Sequence, residues 1–421
     1  MSGLLITGAT LSDGTRSDLL IRGGVFVDPS DASASDRRLD AHGLLALPGF
    51  VDPHTHLREP GRTDAETVAT GTRAAARGGF TAVHAMANLS PVTDTGAAAS
   101  DLTAIAQRDS SAEVVVVGAL TKGLAGEQLS DIDGLHAAGV TMFSDDGRCV
   151  MNAQLMREAF EKIKAFDGVL AQHCQDHNLA GAEASCHECA ISARLGLPGW
   201  PSVAESSIIA RDIELAAYTG ARYHACHIST AESVEVIRWA KGRGLPVTAE
   251  VMPHHLLLTT DLLASLDTTF KVNPPLRTDE HVEAVRAGLA DGTIDMVGTD
   301  HAPHAASDKA KPFVLAPPGM LALEQALAVV METMVIPGRL TWEQVADRMS
   351  YAPARLTRLA RQGRPIAVGE PANVVLVDPD ARAQVDREAT ASKSRNNPYH
   401  GRLLPDPVVA TVWAGRVTFE R

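Results

Sequence analysis

No stretch of this chain approaches the roughly 18 consecutive apolar residues needed to cross a bilayer, so no membrane-spanning helix is expected. Positive charge is in deficit: 38 Lys and Arg stand against 51 Asp and Glu, a net charge of -13. A nucleic-acid backbone or an anionic membrane surface would select the opposite balance, so neither is expected as principal partner. An anionic small molecule could still bind where Arg or His is placed locally. Cysteine is sparse and odd in number, five in all, which argues against a disulfide framework. Cys186 and Cys189 form one C-x-x-C, but no second pair completes the four ligands of a structural zinc site. Residues 1–10 lack a basic stretch leading into an apolar one, so no secretory signal is expected and the expected compartment is the cytoplasm. Internal repeats and low-complexity tracts are also missing.

What is present is alternation of two kinds. At both ends the chain alternates apolar and polar residues around Gly and Asp turns, in "LLITGATLSDG" and "SDLLIRGGVFVD" at the start and in "ANVVLVDPDA" and "DPVVATVWAGRVTFER" at the close. Neither end alone supplies enough strands for a stable sheet, so residues 1–48 and 361–421 are expected to join in one small β-sandwich domain. Between them, over 49–360, apolar strand-like runs alternate with Ala-rich helical stretches such as 66–77, 203–218 and 321–334, a pattern of βα units. Eight runs qualify as strands: "LPGFVDPHTH", "FTAVHAMAN", "AEVVVVGAL", "GVTMFSDD", "GVLAQHC", "ARYHACH", "LPVTAEV" and "TIDMVGTD". The expected class is therefore α/β, with a (β/α)8 TIM-type barrel, whose active sites lie at the C-terminal ends of the strands.

Several of those runs end in His, Asp or Asn. In "GFVDPHTHLREPG", His54 and His56 are two apart at the end of an apolar run, and strand alternation can turn His54, His56 and Arg58 to one side. Two such imidazoles suit a borderline metal such as zinc, although H-x-H alone fits a hydrogen-bonded surface pair equally well. "GTDHAPH" adds Asp300 and His301, while "AQHCQD" and "HACHIST" add His173 and His227. Strand ends of one barrel converge, so together these groups point to a metal centre. His224, His254 and His255 have no evident ligand role and are read as supporting or structural.

Taken in order, "DPHTHLREPG", "FSDDG", "HACHIST", "AEVMPHHLLLT", "VNPPLR" and "GTDHAPH" resemble the signatures of class I bacterial dihydroorotases, within the amidohydrolase superfamily. The resemblance covers nearly the whole chain. It implies that His54, His56 and Asp300 hold one zinc, that His173 and His227 hold a second, and that Asp145 bridges them. The adjacent Asp146 competes for that role, since a bend or bulge decides which carboxylate faces the metals; Asp145 is preferred. A carboxylate bridge also separates this family from hydantoinases, dihydropyrimidinases and allantoinases, which usually bridge with a carboxylated lysine.

The implied reaction is the reversible cyclisation of N-carbamoyl-L-aspartate to L-dihydroorotate and water, in pyrimidine synthesis, through a metal-bound hydroxide with Asp300 as general base and acid. Arg58 can grip the substrate carboxylate with two parallel hydrogen bonds. The resemblance adds Asn88 and His304 to the carboxylate site, and Asn273 with the backbone of Pro318 and Gly319 to the ring. Two departures from the family pattern stand out: "AMANLSP" lacks a proline and an arginine common in relatives near Asn88, and "APPGM" has Pro318 where Phe is usual. The polar, Pro-rich "AASDKAKPFVLAPPG" after His304 reads as a covering loop or as an ordinary surface connection. The rival readings are a hydantoinase- or allantoinase-type enzyme, and a low-activity homologue serving as structural partner of aspartate carbamoyltransferase. A homodimer, and association with that transferase, are both compatible with the family.

Overall fold

The computed structural model describes residues 3–421; Met1 and Ser2, which open the expected N-terminal unit, lie outside the described residues. Five strands come first: β1 (Leu4–Leu11), β2 (Arg16–Arg22), β3 (Val25–Val27), β4 (Arg37–Asp40) and β5 (Leu45–Pro48). β1 pairs antiparallel with β2, with Leu4 opposite Ile21, and parallel with both β4 and β5.

Eight parallel strands follow in chain order. They are β6 (Phe50–Thr55), β7 (Phe80–Ala85), β8 (Glu113–Val116), β9 (Met142–Phe143) and β10 (Val169–Gln172), then, after the short pair β11 (Cys186–His187) and β12 (Gly199–Trp200), β13 (Arg222–Ala225), β14 (Val247–Val251) and β15 (Met296–Val297). Each matches one of the eight runs read as strands from sequence. β6, β7 and β8 form a parallel three-stranded sheet, and β9, β10, β13, β14 and β15 a parallel five-stranded one. Isolated parallel bridges join the two sheets at both edges, Gly118 to Phe143 and Thr55 to His301. β6, β7 and β10 are buried at every position, as befits parallel strands whose faces are both covered.

The intervening helices start at side-chain caps. Thr67 accepts from Thr70 N, Asn152 from Gln154 N and Leu155 N, and Thr230 from Ser233 N, each satisfying backbone donors the first turn leaves free. The stretch 321–334 differs from its expected single helix: a 3-10 turn at Leu323–Gln325 leads into Ala326–Val330 and then a wide π turn over Met331–Val335. Residues 326–330 are buried on all sides, so packing from several directions sets their path in place of one amphipathic stripe.

At the C-terminal end β16 (Val374–Val377) lies antiparallel to β5, Val374 opposite Pro48. β17 (Arg382–Gln384) and β18 (Leu403–Pro405) form a separate pair, and β19 (Val408–Trp413) and β20 (Arg416–Glu420) complete the sheet. Strands from both ends thus share one eight-stranded sheet, ordered β20-β19-β16-β5-β1-β2-β3 with β4 against β1. It has its own apolar cluster, including Leu4, Ile6, Ile21, Phe26, Val374, Leu376 and Val412. All five cysteines are free, and no helix among the described residues is long and apolar enough to cross a membrane.

One buried network braces the segments that follow β13 and β14. The fully buried Arg277 donates through Nε to Ser229 Oγ (3.0 Å) and reaches Glu205 Oε2 at 3.4 Å and His187 Nδ1 at 2.9 Å. Glu205 in turn accepts from the backbone N–H groups of Ser229 (2.8 Å) and Thr230 (3.1 Å). Removing one member of such a pair leaves the other charge buried and unmatched. Glu205→Ala is therefore expected to destabilise the protein by about 3–5 kcal/mol, and Glu205→Ala with Arg277→Met by less than the two single changes summed. Chemical denaturation checks this, and additive losses would show that the pair does not act as a unit.

Candidate metal centre and substrate cavity

Four imidazoles and two carboxylates meet at the C-terminal ends of the parallel strands. His54 lies in the last two residues of β6 with His56 just beyond it; Asp146, His173, His227 and Asp300 follow β9, β10, β13 and β15. Asp146 is central. Its Oδ1 lies 3.2 Å from His54 Nε2, 3.4 Å from His227 Nε2 and 3.7 Å from His173 Nδ1, and its Oδ2 is 3.3 Å from His56 Nε2. Asp300 Oδ1 sits 2.8 Å from His56 Nε2 and 3.6 Å from His54 Nε2. His173 Nδ1 and His227 Nε2 are 2.9 Å apart.

The structure corrects the expected bridge. Asp145 is outside the cluster: its Oδ1 accepts from Leu120 N (2.8 Å) and Thr121 N (2.9 Å), and its Oδ2 accepts from the Thr121 hydroxyl. The chain leaves β9 at Phe143 and turns, with Arg148 N donating to Asp145 O, so strand alternation no longer decides which carboxylate faces inward. Asp145 braces the loop after β8, and Asp146 faces the histidines.

Burial alone would raise both inward carboxyls, but the imidazoles overcome it. Asp146 is held well below the usual carboxylate range by His54 with His173 and His227, and Asp300 is held down by His54 and His56. The same carboxylates, with Glu250, keep His54 well above its ordinary value against the opposing effect of burial. Nitrogen and oxygen atoms that converge this way, with the buried His54 Nε2 lacking any hydrogen-bond partner, suit a cation better than a set of shared protons. His54, His56 and Asp300 form one set of potential ligands within reach of a single ion, and His54, Asp146 and His227 another.

The outer ring nitrogens are fixed by Glu250 and Gln175, which the sequence did not single out, and by Asn88, which it assigned to the substrate carboxylate. His54 Nδ1 lies 2.7 Å from Glu250 Oε1, and Glu250 Oε2 is 3.2 Å from His224 Nε2. His173 Nε2 is 3.0 Å from Gln175 Oε1, which also accepts from Asn273 Nδ2 at 2.8 Å. His56 Nδ1 is 2.9 Å from Asn88 Oδ1. Each contact directs the opposite nitrogen towards the cluster. Asp52 ties β6 to the approach to Asp300 by accepting from His54 N and Thr299 N, and burial pushes its carboxyl up to about 7. Arg58, His227 and Asp300, three of the eight non-glycine residues with positive φ among the described residues, carry backbone strain at the site (59°, 32° and 43°).

A cavity of about 200 Å³ opens beside the cluster, lined by His56, Asp146, His173 and Asp300 and by every residue expected to contact substrate: Arg58, Asn88, Asn273, His304, Pro318 and Gly319. Arg58 Nε donates to Pro303 O (3.2 Å), leaving the terminal guanidinium nitrogens without a protein acceptor among the described residues; burial draws its pKa down to about 10. His304 Nε2 donates to Pro318 O (2.8 Å), and burial together with nearby Arg58 lowers its pKa to about 3. A neutral His304 in this tautomer presents a lone pair at Nδ1. Gly319 N is committed to Lys271 O (2.9 Å) and proline has no N–H, so neither Pro318 nor Gly319 offers the cavity a free backbone donor. Asn396, from the C-terminal region, ties these walls together by donating to Ala302 O (2.9 Å) and Gly319 O (3.1 Å) and accepting from His304 N (3.2 Å).

Parallel strands carrying an imidazole–carboxylate cluster at their C-terminal ends place this chain in a fold that solved hydantoinase and dihydropyrimidinase structures share. L-Hydantoinase from Arthrobacter aurescens superposes with a TM-score of 0.88 at 27% identity, covering 100% of this chain and 96% of that one, and dihydropyrimidinase from Brevibacillus agri shares the fold with a TM-score of 0.87 at 23% identity, covering 99% and 95%. Sequence narrows the class. A family model described as dihydro-orotase-like matches residues 43–233. A dihydroorotase of Streptomyces coelicolor is 52% identical over 99% of this chain and 98% of its own length, and one of Mycobacterium tuberculosis 48% identical over the same shares. The chain belongs to the dihydroorotase family.

The two neighbouring aspartates make separable predictions. Asp146→Asn is expected to weaken metal retention by at least about 10-fold, whereas Asp145→Asn keeps its metal and loses about 1–3 kcal/mol of stability. Elemental analysis after dialysis against a chelator, paired with denaturation, distinguishes them; equal metal loss in both variants would reverse the correction.

Proposed function

We propose that this chain is a zinc-dependent, cytoplasmic dihydroorotase that interconverts N-carbamoyl-L-aspartate and L-dihydroorotate in pyrimidine synthesis. The observation that carries this reading is one small cavity with an unpaired guanidinium, Arg58, among its walls and the cluster of Asp300, Asp146 and histidines at its base. Such a cavity fits a molecule with a carboxylate beside a cyclic amide. Hydantoins lack that carboxylate, so Arg58 favours dihydroorotate over the substrates named for the structural neighbours. The inactive-partner reading is disfavoured because the ligand positions carry His or Asp throughout.

We assign residues 49–360 to a (β/α)8 barrel, a reading supported by the edge bridges between its two parallel sheets, and residues 1–48 and 361–421 to a β-sandwich unit. Two zinc ions are proposed, one held by His54, His56 and Asp300 and the other by His173 and His227, with Asp146 shared. Once bound, zinc supplies Lewis acidity towards the amide carbonyl and makes a water molecule more acidic. The remaining work falls to the chain's own groups.

Arg58 takes the substrate carboxylate in a bidentate grip, and Asn88 Nδ2 adds a donor while its Oδ1 stays on His56. His304, held through Nε2 on Pro318 O, borders the same carboxylate site. Asn273 and the carbonyls of Pro318 and Gly319 meet the ring edge, the carbonyls accepting from ring N–H. In ring opening Asp300 accepts a proton from the attacking water and delivers it to the nitrogen as the C–N bond breaks; in closure it takes a proton from the carbamoyl nitrogen and gives it to the departing water. A homodimer, and association with aspartate carbamoyltransferase, remain compatible arrangements.

Purified, zinc-loaded protein is expected to open L-dihydroorotate in preference to hydantoin and allantoin, followed by ultraviolet absorbance; preference for either control would sink the proposal. Asp300→Ala should lower kcat by about 10²–10⁴-fold, and substantial turnover at full metal content would remove its assigned role. Arg58→Lys should reduce kcat/KM by about 10- to 100-fold, since one ammonium cannot reproduce two parallel bonds.

A further inference from the structure

The partly buried Lys309 is unusual in how it spends its charge. Its ammonium donates to three backbone carbonyls, those of Thr268 (3.0 Å), Lys271 (3.3 Å) and Pro317 (3.0 Å), and no carboxylate among the described residues lies within ion-pair distance of it. The three acceptors come from two separate segments. One runs from the turn Thr268–Phe270 into Lys271, two residues before Asn273, and the other leads directly into Pro318 and Gly319. Both segments wall the cavity, while Lys309 itself does not line it.

Neighbouring contacts reinforce the same junction. The Thr268 hydroxyl donates to Lys309 O, Lys271 Nζ donates to Val314 O (2.7 Å), and Gly319 N donates to Lys271 O (2.9 Å). On the other side of the short helix Ala306–Lys309, Asp308 pairs with Arg62 (2.6 Å), four residues beyond Arg58. One helical turn thus touches the segments bearing Arg58, Asn273 and Pro318. The Arg62 contact is exposed and contributes little on its own, whereas three charge-assisted bonds from one ammonium are individually stronger than neutral ones.

We propose that Lys309 is a positioning residue for substrate, an internal clamp that holds the Asn273 wall and the Pro318 wall at the spacing the ring requires. The proposal rests on the cavity being the substrate site. Lys309 contacts no metal-ligand residue, so its loss should widen the binding site and leave the metal cluster as it is.

The test compares full-length, zinc-loaded wild type with Lys309→Met. The expected result is a KM for L-dihydroorotate raised about 10-fold with kcat within about 3-fold, at unchanged metal content and an essentially unchanged thermal midpoint. In ligand-free protein, amide hydrogen exchange should quicken in residues 268–273 and 312–319 and nowhere else. That second reading needs no substrate, so it tests the clamp even if wild type fails to open dihydroorotate, a failure that would count against the proposed function alone. Unchanged KM with unchanged exchange overturns the clamp. So does a matched fall in kcat and midpoint with faster exchange throughout, which would mark Lys309 as a general structural residue. Thr268→Val, which removes only the hydroxyl contact to Lys309 O, should move KM and local exchange the same way by a smaller factor, and it decides the question by the same readings if Lys309→Met is not recovered folded.

Discussion

Asp146 and Asp300 are carboxylates taken almost wholly out of water, a step that costs several kcal/mol per ion unless opposite charge meets them. The surroundings of these two groups follow from that cost. Four imidazoles turn their nitrogens on the carboxylates, and each imidazole must be held so that a lone pair, and not an N–H, can face a cation. Glu250, Asn88 and Gln175 do this for His54, His56 and His173 by accepting at the outer nitrogen. A third buried carboxylate, Glu250, is thereby introduced, and it too finds two imidazoles, His54 and His224. Charge is balanced in layers, outward from the cluster into the strands.

The same arrangement couples the imidazole–carboxylate cluster to the wall of the cavity. Asn88, which lines the cavity, accepts from a cluster histidine through Oδ1, while its Nδ2 reaches Asp146 O (3.4 Å) and Oδ2 (3.5 Å). Gln175 Oε1 is shared between His173 and Asn273. A shift in either imidazole is therefore felt at a residue that lines the cavity. Arg58 stands apart, anchored only through Nε to Pro303 O, which leaves the planar end of the guanidinium to an incoming carboxylate.

Much of this was legible in the chain, because parallel strands covered on both faces read as apolar runs, and a catalytic residue at a strand end interrupts its run. That signal found all eight strands and His54, His56, His173, His227 and Asp300. It could not separate Asp145 from Asp146: a two-residue strand gives no alternation to extrapolate through a turn, and the deciding contacts come from Leu120 and Thr121, some 25 positions away. Glu250 was invisible for a related reason. A carboxylate inside "VTAEV" has no spacing relation to His54, and only the pairing of β14 with β15 and the bridge from Thr55 to His301 bring them together. The π turn after Val330 has no local mark either, since residues buried on every side carry no helical periodicity.

The chain ends complete the site as well as the sheet. Asn396 lies beyond β16, in the region assigned to the terminal unit, yet its amide spans Ala302 O and Gly319 O while its oxygen receives His304 N. Ser392 and Ser394 make further contacts, to Glu66 and to Ala65 O. The Glu66 carboxylate is itself 3.5 Å from His301 Nε2, next in sequence to Asp300. Residues separated by more than 300 positions therefore share one hydrogen-bonded wall beside the cavity. A terminal unit docked in this way supports the cavity as a buttress, and loosening it would be felt first at His304 and Gly319, whose backbone it holds, before it reached the imidazoles fixed from within the parallel strands.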